Sequence, residues 1–270
     1  MKAFRLLATA ALFTASIGGL ASEPALAGDV RIFGDRYDLN IINNFYNSYG
    51  GHSSAIVGSS IAGVNLGGIE LLWAVQPADL YSLAEIDTLA GYLSGGGRIA
   101  FMGEHGSFAP TENNNINAAL AALGANISIV NTVEDSGFRT ASVGDGPILA
   151  HPLTTGVNSY EYAAFAPLTI SGSAQALMLG ELGSVMMAYQ NIGPGSIFLI
   201  TDQNVWDTSG SLWPSHDNEV MFDNLVSGQT GAPPVGAVPE PSVWAMLLIG
   251  FGAIGGALRR RRQKAALAYA

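Results

Sequence analysis

The chain has 270 residues, 49% hydrophobic and only 12% charged, and it contains no cysteine. Without thiols there is no cysteine nucleophile, no thiolate metal site and no disulfide staple. From Gly28 to Pro241 the only cations are Arg31, Arg36, Arg98 and Arg139, against twenty Asp and Glu, a net of −16 where the whole chain carries −10. Such an acidic domain repels nucleic acid and anionic lipid, and suits divalent cations or plain solubility.

Lys2 and Arg5 precede an apolar run from Leu6 to Leu20, and Ala25-Leu26-Ala27 stands directly before Gly28. A positive start, a short greasy core and small residues before the cut predict a secretory signal peptide over residues 1–27, cleaved after Ala27. Residues 28–227 are then one domain by size, with enough chain to bury a core unaided.

Val30 to Phe33 has the length and composition of a strand, and Asn40 to Ser60, rich in Asn, Ser, Gly and aromatics, reads as loop with one helical turn. Ile69 to Val75 is a near-continuous apolar run, as in a strand covered on both faces. Leu83, Ile86, Leu89, Ala90 and Leu93 form one helical stripe, which Gly95-Gly96-Gly97 ends. Arg98 to Met102 predicts a second buried strand, Asn117 to Leu123 a helix and Ile127 to Val130 a strand. This alternation predicts an α/β fold with a mostly parallel sheet between helices. Ala176 to Leu179, Ser184 to Tyr189 and Ser196 to Thr201 follow at glycine-turn spacing and predict antiparallel neighbours in the second half. Asn218 to Val226 closes the domain as an amphipathic helix, and residues 228–238 form a flexible linker.

A second apolar segment, residues 242–258, would be about 26 Å long as a helix, near the lower limit for a bilayer. Arg259, Arg260, Arg261, Arg262 and Lys264 follow it and would stay cytoplasmic, leaving the domain outside. Pro239-Glu240-Pro241-Ser242-Val243-Trp244-Ala245, the apolar stretch and the arginine run together resemble the PEP-CTERM sorting signal, in its PEPxxWA variant, over residues 239–264. The resemblance implies an exosortase-type processing enzyme as partner, inner-membrane anchoring before processing, release to the envelope or exterior of a Gram-negative cell, and a link to exopolysaccharide.

Three stretches also resemble the class I glutamine amidotransferase-like fold: Gly95 to Gly106, His151-Pro152-Leu153-Thr154-Thr155-Gly156-Val157, and Gly193 to Asp202 with the closing helix. In that family the strand Arg98 to Met102 leads into the turn that displays the nucleophilic cysteine, a position that falls here at Glu104 or His105. The resemblance therefore implies the fold and removes its best-known reaction.

Ligands of open α/β sheets gather beyond the carboxyl ends of the strands. Glu104 and His105 follow one strand, and Asp202, Gln203 and Asn204 follow another; if the strands are neighbours, Glu104, His105 and Asp202 converge. Asp207, His216 and Asp217 lie close enough in sequence to join them. Such a set could hold a hard cation through oxygens or cleave a glycosidic bond with two carboxylates. The competing structural roles are a backbone-bonded turn for Asp202, a turn residue at His151, and an N-cap at Asp217 or Asn218. Glu104-His105 reads as an exposed pair with less structural reason to be there. Asn113-Asn114-Asn115 and the rings of Tyr37, Phe45, Tyr46 and Tyr49 could face a carbohydrate, or form a solvated loop whose rings pack on the core. The sequence supports two functions: a non-catalytic binding or matrix component of the envelope, or a divergent polysaccharide hydrolase using Glu104, His105 and Asp202.

Overall fold

Nine strands share one sheet in the computed structural model, which describes residues 28–36, 39–206 and 216–227. In chain order the elements are β1 (Asp29–Gly34), α1 (Leu39–Ser48), β2 (Ser53–Gly58), β3 (Leu71–Val75), α2 (Leu83–Ser94), β4 (Arg98–Met102), α3 (Pro110–Ala122), β5 (Ile127–Ile129), β6 (Arg139–Ser142), β7 (Ser159–Tyr162), β8 (Leu168–Ile170), β9 (Gln175–Leu179), β10 (Val185–Ile192), β11 (Gly195–Ile200) and α4 (Asn218–Ser227). The sheet order is β2-β1-β3-β4-β11-β10-β8-β5, with β9 also on β10, while β6 and β7 form a separate pair. Strands β2 to β11 along that order are parallel, and from β11 outward the pairings are antiparallel.

The central parallel strands β3, β4 and β11 are mostly apolar because helices cover both faces. Leu71, Trp73 and Val75 of β3 point to one side with Ala100, Met102, Phe198 and Ile200, against α1 and α4. Leu72 and Ala74 point to the other with Ile99, Phe101, Ile197 and Leu199, against α2 and α3. The alternation is that of side chains on a pleated strand, with both sets buried. α2 starts at a capping box, Ser82 accepting from Glu85 N while Glu85 accepts from Ser82 N, which satisfies donors the first helical turn leaves free.

The α1/α4 side is held by aromatic rings. Trp206 stacks on Phe222 at 4.1 Å between centroids, and Trp73 meets Trp206 edge-on at 5.6 Å. The polar tips are satisfied in series: Trp73 Nε1 donates to Tyr46 Oη, and Tyr46 Oη donates to the Phe222 carbonyl. That is how buried Trp and Tyr escape the penalty of an unpaired donor.

The structure departs from the sequence reading in four places. The expected loop from Asn40 to Ser60 contains a full helix, α1, and a strand, β2. Its apolar positions Ile42, Phe45 and Tyr46 lie on one buried face, a stripe masked by the intervening asparagines. Helix α3 begins at Pro110 rather than Asn117, with proline in the first turn where its missing N–H costs nothing. Strand β5 does not continue the parallel set; it lies at the far edge, antiparallel to β8. Strands β6, β7 and β8 have no counterpart in the sequence reading, being three or four residues long and partly polar. The signal peptide (1–27), linker (228–238) and apolar tail segment (242–258) lie outside the described residues. Among the described residues no helix is long and apolar enough to cross a membrane.

Because Phe222 touches Trp73, Trp206 and Tyr160, Phe222→Ala should cost about 3–5 kcal/mol, read as a lower urea midpoint at unchanged m-value. Leu182→Ala, at an 82% exposed side chain, should stay within about 0.5 kcal/mol of the parent.

Candidate functional site

The pairing of β4 with β11, Met102 opposite Ile200, places the residues that follow the two strands side by side. Glu104 and Asp202 do converge, but inside the protein: Glu104 is 1% exposed and Asp202 is 0% exposed. The expectation of an exposed Glu104-His105 pair fails because the turn after β4 folds inward. Glu104 Oε1 accepts from its neighbour His105 N at 2.7 Å and Oε2 accepts from Gln203 N at 2.8 Å. Asp202 Oδ2 accepts from Ala163 N at 2.7 Å and Oδ1 from Asn204 N at 2.9 Å. One carboxylate ties β4 to the turn after β11, and the other ties that turn to the segment after β7.

Burial pushes both carboxyls above their ordinary range, and for Glu104 the charge of Asp202 pushes further, against the pull of the backbone donors. Desolvation and a like charge act in the same direction on Glu104, so it is the group that keeps a proton. Tyr160 is also driven up, first by burial and then by Asp202, and its hydroxyl has no hydrogen-bond partner among the described residues. Burial lowers His105, whose side chain is 22% exposed, leaving a neutral ring at neutral pH. Its Nδ1 lies 3.0 Å from Ser107 Oγ, while Nε2 lies 3.7 Å from Glu104 Oε1, too far for a hydrogen bond.

Two residues of this cluster, Gln76 and Gln203, carried no motif. Gln76, directly after β3, is fully buried with φ 38, a conformation costly for a residue with a side chain. Its N–H donates to the Met102 carbonyl and its Nε2 to Gln203 Oε1 at 2.7 Å, while its own Oε1 has no partner among the described residues. The only available signal was a polar residue closing a five-residue apolar run. Neither Glu104 nor His105 has positive φ; the strained backbone of this cluster is at Gln76, one strand away.

Asn113, Asn114 and Asn115 lie on α3, not in a solvated loop, and they stitch turns together. Asn113 Oδ1 accepts from Glu104 N while its Nδ2 donates to the Glu104 carbonyl and to Asn131. Gly103 is required there, since a Cβ would stand 2.6 Å from Asn113 Oδ1. Asn115 donates to the carbonyls of Pro77 and Ala78. The rings of Phe45 and Tyr46 pack into the core, and Tyr37 lies outside the described residues. His151 caps the short turn at Pro152–Thr154, accepting from Leu153 N. Asp217 accepts from Asn158 N and Ser159 N, and Asn218 brackets Glu161, so the two clamp β7 where simple N-capping was expected. His216 faces Glu161 at 3.3 Å and not the Glu104 pair; Asp207 lies outside the described residues. No three His, Asp or Glu among the described residues are placed to hold a metal ion.

The open hollows lie elsewhere. One of about 560 Å³, lined by Asn65, Glu70, Asp87, Thr88 and Arg98 among glycines, sits at the amino ends of the strands, about 20 Å along β4 from Glu104 at ~3.3 Å per residue. A smaller one, about 230 Å³, borders Asp35, Ser59, Ser60, Asp79 and Glu85 beyond β1 and β3, where the order 2-1-3 reverses direction and such sheets bind ligands.

Residues 237–262 match the PEP-CTERM protein-sorting motif. The motif implies an exported chain, processed by an exosortase and associated with the envelope. No curated protein matches the sequence. Among solved structures, the chain is similar to the mmIFT52 N-terminal domain (TM-score 0.59, 17% identity, 73% of this chain and 95% of that one). It is also similar to a cytoplasmic protein from Salmonella typhimurium LT2 (TM-score 0.56, 12% identity, 74% and 100%). A Thermoplasma acidophilum protein assigned provisionally to GMP synthase follows at TM-score 0.50 and 12% identity, over 74% and 93%. Identities this low establish a shared mixed α/β fold and nothing about activity.

The buried pair should make stability pH-dependent. A carboxyl whose folded pKa is raised stabilises fully below its unfolded value and loses that contribution as pH rises towards the folded one. The melting temperature should therefore fall from about pH 5 into the alkaline range, and Glu104→Gln, which cannot ionise, should flatten that slope.

Proposed function

We propose that the chain is an exosortase-sorted envelope protein whose α/β domain, residues 28–227, works by binding, as a non-catalytic component of an exopolysaccharide matrix. The domain is read as amidotransferase-like in architecture without that fold's cysteine. The observation that carries the binding reading is the closure of the Glu104–Asp202 pair. Both carboxyls are spent on backbone N–H groups, and neither reaches a surface where a sugar could lie. Hydrolysis by two carboxylates needs them on opposite sides of an accessible bond, which this geometry would provide only after opening.

Charge narrows the ligand. A domain of net −15 repels a polyanionic glycan at low salt, so the matching partner is a neutral polysaccharide, recognised through hydroxyl, amide and carboxylate groups such as those lining the two hollows. Exosortase is the processing partner, and anchoring by residues 242–258 precedes release.

A glycan array probed with the chain from Gly28 onward at about 0.15 M salt should show binding to neutral polysaccharides over acidic ones, equal for parent and Glu104→Gln. No release of reducing ends is expected. Glycan cleavage by the parent that disappears in Glu104→Gln would reverse the reading in favour of a hydrolase, and an array without binding would remove the matrix role.

A further inference from the structure

Gly28 is held from three sides. Its N–H donates to His52 Nδ1 at 3.0 Å, which leaves the hydrogen of that imidazole on Nε2, facing Asp223 Oδ1 of α4 at 2.8 Å. The His52 side chain is fully enclosed. The Gly28 carbonyl accepts from Ser53 N at 3.1 Å, and the next amide, Asp29 N, donates to Glu70 Oε2 at 2.6 Å. Ser53 Oγ bonds Asp29 Oδ1. A side chain on Gly28 would stand 2.5 Å from Val226 Cγ1, so the space admits glycine and little else. Gly50, at φ 64, passes so close that a Cβ would meet both Asp223 and His52 at 2.6 Å.

This site is built for more than the single neutral donor of a peptide N–H. The Gly28 nitrogen faces the acceptor Nδ1 of His52, and the other ring nitrogen of that enclosed imidazole faces the Asp223 carboxylate of α4. Arg98, at the start of β4, is committed to the carbonyls of Leu225 and Val226. An enclosed imidazole acceptor backed by a carboxylate is complementary to a positive charge.

We propose that Gly28 is the mature N-terminus and that removal of the leader converts its amide into an α-ammonium docked on His52, whose other ring nitrogen is backed by Asp223, tightening the fold only after processing. The inference rests on the reading of residues 1–27 as a leader cleaved after Ala27. In the cleavage, water splits the Ala27–Gly28 peptide bond; the carboxylate leaves with the leader and the amine takes up a proton. One neutral donor becomes three donors with a charge, and charge-assisted hydrogen bonds are about twice as strong as neutral ones. The consequence is timing, because the domain gains its last fastening on the far side of the membrane.

The test compares the chain 28–270 bearing a free Gly28 amine with the same chain retaining Ala27, both in detergent, and with each carried into Asp223→Asn. The free-amine form should melt about 2–4 °C higher at pH 7. That advantage should vanish in Asp223→Asn and fade as pH rises beyond about 8, where an α-ammonium begins to lose its proton. The His52 acceptor and the Asp223 carboxylate behind it raise the folded value of that amine, so the gain is full below the unfolded value and lost as pH passes the folded one. Equal melting of the two forms, or an advantage indifferent to Asp223, overturns the latch. N-terminal sequencing of the exported protein tests the cleavage separately: Gly28 first is the expected result, and any other first residue removes the cleavage reading whatever the melting data show.

Discussion

The insertion of β11 beside β4 is the constraint on which the rest of the molecule depends. The first half of the chain builds a parallel set, β2-β1-β3-β4, whose last member would otherwise be an open edge. The second half builds an antiparallel meander ending in β11, and β11 completes its pairing by running parallel to β4, Ser196 opposite Arg98 through Ile200 opposite Met102. The edge is thereby paired rather than exposed, and a sheet that starts parallel continues antiparallel without a break. All six residues of β11 are buried, since helices cover both its faces.

That pairing has an electrostatic cost. It drives two carboxyls, Glu104 and Asp202, into one buried space, where each would be unfavourable as an isolated ion. The fold offsets this by giving each carboxyl two backbone N–H donors and by leaving a proton on the pair. The donors come from three separate places in the chain: His105, Ala163, and the neighbours Gln203 and Asn204. The cluster is thus a knot between the ends of β4, β7 and β11. Gln76 is strained in the same knot, its backbone held by Met102 and its side chain by Gln203. The polar residues beyond the strand ends, where an α/β sheet usually keeps its chemistry, serve here to close that end.

Charge organises the outside as burial organises the inside. Nineteen acidic residues against four arginines over residues 28–227 limit the ion pairs an arginine can form, and among the described residues Arg36 pairs with Glu112 and Arg139 with Glu181. Cohesion therefore comes from packing, above all from the rings around Trp73, Trp206 and Phe222. The sorting address at residues 237–262 occupies a different stretch of the sequence from the described domain, so it says where the chain goes without limiting what the domain binds.

The address was legible because it is written in local order: a tripeptide, a tryptophan, an apolar run and four arginines in fixed succession need no folded context. The strands β3, β4 and β11 were legible for a related reason, since unbroken apolar runs of four or five residues bounded by turn signals admit few other readings. Helix α1 was not, because asparagines interrupt its apolar stripe and only burial against Trp206 reveals which face matters. Strands β6 to β8 were not, since three or four partly polar residues pair only when a partner is already in place. The sequence could bring Glu104 and Asp202 to the ends of two strands, but it could not say whether the turns after them open outward or fold in. That depended on which backbone N–H groups lay within reach, and those belong to residues as far apart as Ala163 and Gln203. Hydrogen-bond partners across such separations are set by the packing of the whole domain, and no local pattern encodes them.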